Sequence, residues 1–188
     1  MLFVGCKTPN IKNDVLIITP IIQQPKIKIE FITAKDNILK YPKSSWALKQ
    51  ALNEWVQVLP IEVYLYQSNQ PSLNNDITKI YLSNFEENSH LLGFWSPKEN
   101  EICFNIQLEK EDPLLAKQIF VHEIGHFLGL PHIIEDGLTM GKTGDIIVAD
   151  ATKYIMFPFT GEENKCSQLS TLEIKLALVH LYELRNSR

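Results

Sequence analysis

The residues best suited to chemistry lie in one stretch, VHEIGHFLGLPH, at residues 121–132. It holds three of the chain's five histidines, His122, His126 and His132. Residues i and i+4 of a helix lie on the same face, so His122 and His126 can direct two imidazoles at one point. Gly129 can adopt the left-handed conformation that ends a helix, after which the chain can turn back and deliver His132. The spacing therefore predicts a metal site with three histidine ligands.

Such a site would suit hydrolysis. Three neutral imidazoles leave a zinc ion with its full charge and one open coordination position. That charge lowers the pKa of a bound water from 15.7 towards about 7. Glu123 is rotated from His122 by about 100°, so its carboxylate can reach this water without binding the metal. Glu123 can then take a proton from the water and pass it to a leaving amine, which is the equipment for cleaving an amide.

The sequence around this stretch predicts the elements that hold it. Asp112 as N-cap and Pro113 at the first helical position predict the start of the histidine helix. Apolar residues at helical spacing predict an earlier long helix that begins near Pro42 and Ser44 and ends at Pro60. A capping-box pattern at 170–173 predicts a last helix, whose expected buried face is Ile174, Ala177, Leu178 and Leu181. Four β-rich runs predict strands at 26–33, 61–66, 79–82 and 102–106.

Composition limits the partners. The length of 188 residues suits one domain, and we expect a tail at 1–25 and a catalytic domain at 26–188. The net charge of −4 gives no basic surface for nucleic acid. No apolar run approaches the roughly 20 residues that a transmembrane helix needs. Strands and helices alternate as in an α/β (α+β) domain, which we expect to act as a monomer.

The stretch HEIGHFLGLPH resembles the zinc signature of the metzincin endopeptidases. Residues 154–158, YIMFP, resemble the Met-turn in its matrixin form, in which Met156 would be an apolar floor beneath the three imidazoles. The resemblance covers residues 26–186. It implies a twisted, mostly parallel sheet with an antiparallel edge strand, packed on two long helices, and a small C-terminal subdomain that ends in a helix.

The resemblance also implies a function. The chain would be a zinc endopeptidase with His122, His126 and His132 as ligands and Glu123 as general base. Its protein or peptide substrates would bind extended along an edge strand, for which order in the chain predicts Glu101–Ile106. One catalytic zinc ion is expected, whereas the matrixin structural zinc and calcium are not, because residues 83–105 contain only His90 of the required His/Asp set.

Two alternatives stay open for the histidine site. The chain could be a catalytically silent zinc-containing binding protein of the same fold, although a structural zinc would not need Glu123. It could also be a peptidase of narrow specificity, with a cleft closed on one side by the loop at 133–153. A helix with purely structural histidines is disfavoured, because burying stacked imidazoles without a metal or partners is costly.

The three cysteines leave further alternatives. Residues 2–6, LFVGC, resemble the end of a bacterial lipoprotein signal, which would make Cys6 a lipid anchor if the true start lies upstream. Cys6 also faintly resembles the matrixin cysteine switch, or it belongs to a tail without function. A lipid anchor or a cysteine switch at Cys6 would each imply an extracellular or cell-surface location. Cys103 and Cys166 could pair in an oxidising compartment, or both could be free thiols.

Overall fold

The computed structural model describes residues 26–32, 41–68, 71–85, 91–135, 144–158 and 168–186. The predicted tail at 1–25 lies outside these ranges. So do Cys6, His90 and Cys166, and the predictions made for these residues stay predictions. Cys103 is described, and it is a half-buried free thiol.

A five-stranded sheet forms the centre of the structure. Its strands are β1 (Lys26–Ile32), β2 (Glu62–Ser68), β3 (Thr78–Ser83), β4 (Gly93–Ser96) and β5 (Glu101–Asn105). Their order across the sheet is β2-β1-β3-β5-β4. The first four strands in this order run parallel, and β4 runs antiparallel to β5. A mixed α/β architecture with a mostly parallel sheet is therefore confirmed.

The prediction that Glu101–Ile106 is an edge strand was wrong. β5 is internal, because β4 pairs with its outer side. None of the four predicted strands covers residues 93–96, yet Phe94 and Trp95 favour extended structure and form a short hairpin with β5. Asn100 ends the connecting turn at φ 55°, a left-handed conformation that asparagine tolerates. A four-residue strand is too short for its alternation to outweigh the flanking loop signals.

Two long helices pack against each other beside the sheet. They are α1 (Pro42–Val58) and α2 (Pro113–Phe127). Trp55 of α1 is fully buried, and its indole Nε1–H donates to the Val121 carbonyl of α2 at 3.1 Å. The buried apolar residues of the sheet and both helices form one core; the largest include Phe31, Leu48, Ile80, Ile102, Phe104 and Phe120.

The start of α1 is fixed from outside the helix. Pro42 lies at its first turn as predicted, and Tyr41 occupies the N-cap position without a capping side-chain hydrogen bond. The Glu109 carboxylate instead accepts from the backbone N–H groups of Lys43 and Ser44, both at 2.9 Å. Glu109 ends a short 3₁₀ helix, Ile106–Glu109, that leads into α2. A carboxylate in this position accepts hydrogen bonds from N–H groups that have no partner within the helix. Its negative charge also interacts favourably with the positive end of the helix dipole.

The C-terminal part differs from the prediction in two places. Residues 133–153 were predicted to be a loop, yet β6 (Ile133–Glu135) and β7 (Ile146–Val148) form a parallel two-stranded sheet. The last helix, α3 (Thr171–Asn186), begins at the predicted capping box. Its Ala177 is buried, but Leu178 is 37% exposed and was wrongly assigned to the buried face. Among the described residues, no helix is both long and apolar enough to cross a membrane.

Candidate metal centre

Helix α2 holds two of the three predicted ligands. Asp112 is its N-cap, and the Asp112 carboxylate accepts from the Leu114 N–H at 2.7 Å. At the other end, Gly129 has φ +88°, and its N–H donates to the His126 carbonyl at 2.9 Å. The Leu130 N–H donates to the Gly125 carbonyl, also at 2.9 Å. These bonds form the motif by which a glycine closes a helix, and they turn the chain back towards the helix axis.

The turn brings the three imidazoles together. The His126 Nε2 lies 3.1 Å from the His122 Nε2 and 3.0 Å from the His132 Nε2. Ligand nitrogens around tetrahedral zinc, at about 2.0–2.1 Å from the ion, are separated by roughly 3.3 Å. The observed separations are close to this value, so the three histidines are near enough to hold one metal ion.

Hydrogen bonds fix the tautomers of two of these rings. The His122 Nδ1 donates to the Ile155 carbonyl at 2.7 Å, and the His126 Nδ1 donates to the Leu130 carbonyl at 2.8 Å. A carbonyl can only accept, so the proton of each neutral ring is on Nδ1. Each Nε2 therefore directs a lone pair at its neighbours. Lone pairs this close repel one another unless a cation lies between them, which makes the donor set fit a divalent metal.

The electrostatic environment keeps His122 neutral. Desolvation by the surrounding protein and the neighbouring His126 ring lower the pKa of His122 to about 3. A metal ligand must be unprotonated, so this shift prepares the ring for binding at neutral pH.

Glu123 lies beside the ligands and is nearly buried, with 7% of its surface exposed. Burial raises the pKa of Glu123 to about 8. A nearby divalent cation would favour the carboxylate and oppose this shift. Strand β4 approaches Glu123 closely, since a Cβ built at Gly93 would lie 2.9 Å from the Glu123 Cγ. The absence of a side chain at Gly93 therefore allows β4 to lie against the Glu123 side chain.

A small cavity of about 100 Å³ opens next to His122 and Glu123. Its apolar walls come from the segment before β4, from α2 and from the chain after Met156; they include Leu92, Ile119, Phe157 and Pro158. His122 and Glu123 line the cavity together with these apolar residues, and such a combination is typical of ligand sites.

Met156 is fully buried against α2. Its Sδ would lie 2.5 Å from a Cβ built at Gly125, the residue directly before His126. The absence of a side chain at Gly125 therefore allows Met156 to contact the helix between the two ligands. The resemblance to the Met-turn implied that Met156 is a floor beneath the imidazoles, and it assigned no role to Gly125.

Backbone hydrogen bonds connect the residues around His132 to those around Met156. The Ile133 N–H donates to the Met156 carbonyl at 3.0 Å, and the Ile146 N–H donates to the His132 carbonyl at 2.9 Å. The β6–β7 sheet therefore holds the third ligand against the Met156 segment. The Met156 N–H donates to the Glu173 carboxylate of α3 at 2.8 Å. The capping-box pattern predicts only a capping role for Glu173, because a contact with a residue 17 positions away leaves no local pattern in the sequence.

Comparison with known protein families and with curated proteins finds no match for this chain. A functional assignment therefore depends on the geometry of the histidine site and its surroundings.

Proposed function

We propose that the chain is a zinc-dependent endopeptidase that resembles the matrixin branch of the metzincins. The convergence of three histidine Nε2 atoms, with His126 Nε2 within 3.1 Å of the other two and Glu123 next in sequence to His122, is the observation that supports it most strongly. A mostly parallel sheet beside two long helices, with a buried Met156 under the ligand helix, is compatible with that family.

His122, His126 and His132 would hold the zinc. When bound, zinc would polarise the scissile carbonyl and acidify a water. Glu123 would take the proton from that water and later donate it to the departing amine nitrogen. Burial makes the Glu123 carboxyl a stronger base than one in water, because it disfavours the charged form. This property suits a group that must accept and return one proton.

Strand β4 would position the substrate. Its outer side is an edge of the five-stranded sheet, and Gly93 of this strand lies against the Glu123 side chain. An extended peptide could pair with β4 through main-chain hydrogen bonds and present its scissile bond to Glu123. The neighbouring cavity would take one side chain, and its volume of about 100 Å³ favours a small apolar group.

Digestion of a quenched peptide library by zinc-loaded protein tests the proposal. We expect internal cleavage that stops when a chelator removes the zinc. Glu123→Gln should retain zinc and lose about 10²–10⁴-fold in turnover, because it keeps the side-chain shape without a base. Glu183→Gln, on the exposed side of α3, is the matched control and should cleave like wild type.

The other outcomes separate the alternatives. Zinc-loaded wild type that cleaves no peptide would refute the endopeptidase and favour a silent binding protein. Products shortened only at their ends would favour a narrow-specificity peptidase. The proposed extracellular or surface location and the lipid anchor at Cys6 depend on the native N-terminus, which mass spectrometry of the natural protein would define.

A further inference from the structure

One peptide group lies between the metal ligands and the last helix. The carbonyl of Ile155 accepts from the His122 Nδ1 at 2.7 Å. The N–H of Met156, in the same peptide plane, donates to the Glu173 Oε1 at 2.8 Å. The Ile155–Met156 peptide therefore has a ligand on its carbonyl side and a carboxylate on its N–H side.

Glu173 is unusual for a capping residue. It is 0% exposed, and its Oε2 accepts from the Ser170 N–H at 2.8 Å, as the capping box requires. This capping contact involves the Glu173 Oε2. The other oxygen is directed away from its own helix, at Met156. Burying a carboxyl group is costly, so the second contact calls for a function beyond helix initiation.

His126 is held in a different way. Its Nδ1 donates to the Leu130 carbonyl, and the next residue is Pro131. Proline has no N–H, so that peptide group cannot donate to a carboxylate. Two of the histidines have defined Nδ1 partners, and each of these partners is a backbone carbonyl. Of the two, only the carbonyl bound by His122 belongs to a peptide group that can also donate to an acidic side chain.

We infer that Glu173 is a positioning residue of the metal centre, acting on His122 through the Ile155–Met156 peptide; this inference rests on the proposed zinc site. Hydrogen bonds in a chain polarise one another, so a carboxylate at the N–H increases the negative charge on the carbonyl oxygen. The stronger acceptor holds the His122 ring in place and makes its Nε2 a better donor to a metal. Glu173 also fixes the Met156 backbone, which places the buried side chain under the ligands.

Zinc affinity, measured by competition with a chromophoric chelator, tests this inference. Glu173→Gln removes the charge while keeping the shape, and it should weaken zinc binding about 10–100-fold, as loss of partners behind metal ligands does. Cobalt-loaded Glu173→Gln should also show shifted visible absorption bands, because the field of the His122 nitrogen changes.

Two controls separate this effect from simple loss of stability. Glu30→Gln removes another buried carboxylate that accepts from a backbone N–H, that of Ser72 at 2.7 Å, but on β1. Ser170→Ala removes the Ser170 hydroxyl, which hydrogen-bonds both the Glu173 N–H and the Glu173 carboxyl group, and it leaves the Met156 contact in place. Both variants should lose stability and keep the zinc affinity and cobalt spectrum of wild type.

The outcomes are distinct. Wild type that binds zinc tightly, with the same affinity in Glu173→Gln, overturns this inference and leaves the proposed function standing. Wild type that binds no zinc overturns the proposed function itself. If Glu173→Gln does not fold, Glu173→Asp takes its place, because it keeps the charge but is one methylene shorter. Glu173→Asp must then bind zinc more weakly than Ser170→Ala does. Equal zinc affinity of these two variants overturns the inference.

Discussion

Gly129→Ala should be strongly destabilising, for two reasons that can be measured separately. The backbone of Gly129 is left-handed, with φ +88°, which costs a residue with a side chain about 1–2 kcal/mol. The new Cβ would also lie 2.1 Å from the His180 Cδ2 of α3, so the imidazole ring would have to move. Forcing extra volume into a packed site costs roughly 1–3 kcal/mol. The expected total is about 2–5 kcal/mol, a large part of the roughly 5–15 kcal/mol that stabilises a typical domain.

Urea unfolding of metal-free protein gives the free energies. Gly144→Ala is the matched control, because Gly144 has φ +113° and a Cβ built there meets nothing within 4 Å. It should show the backbone cost without the steric cost. In a His180→Ala background, Gly129→Ala should cost only the backbone contribution of about 1–2 kcal/mol. The reasoning is refuted if Gly129→Ala costs no more than Gly144→Ala, or if removing the His180 ring leaves its cost unchanged.

Three other predictions concern the residues around the ligands. Gly125→Ala places a Cβ 2.5 Å from the Met156 Sδ, so urea unfolding should show a loss of about 1–3 kcal/mol in the free energy of unfolding. The loss should be smaller in a Met156→Ala background, and an equal loss in both backgrounds would contradict the contact. Burial raises the pKa of Glu123 from 4.5 to about 8, so the folded metal-free protein binds this proton more tightly than the unfolded chain does. As the pH rises from about 4.5 to 8, the free energy of unfolding of wild type should therefore fall by a few kcal/mol more than that of Glu123→Gln, as measured by urea unfolding. If the two proteins show parallel pH profiles, the raised pKa of Glu123 is refuted. Gly93→Ala crowds the Glu123 Cγ at 2.9 Å and should lower peptide turnover while zinc affinity stays unchanged; wild-type turnover would contradict the close approach of β4 to the Glu123 side chain.

Sequence patterns predicted the parts of the site that depend on local geometry. The N-cap Asp112, the i and i+4 histidines and the helix-ending Gly129 each act within a few residues of the chain, and the structure brings His132 to the other two ligands as expected. The strands β1, β2, β3 and β5, which are five to seven residues long, were predicted from β-rich runs in the sequence.

The parts that sequence patterns missed depend on tertiary contacts. Strands β4 and β6 have only four and three residues, too few for a period to be visible, and pairing with a neighbour makes them extended. Glu173 and Gly125 act on Met156 from a distant helix and from the ligand helix, and no local pattern relates these positions. The exposure of Leu178 is set by how α3 lies on the core, which helical spacing alone does not determine.

The central claim is that three imidazoles bind one zinc ion. Metal-free protein should be titrated with zinc against a competing chelator, and the bound metal should be counted after dialysis for wild type and for His132→Ala. We predict one zinc per wild-type chain and a large loss of zinc from His132→Ala, because the third ligand comes from the turn after Gly129 and not from α2. A wild-type chain that retains no zinc, or a His132→Ala chain that retains as much as wild type, would contradict the claim.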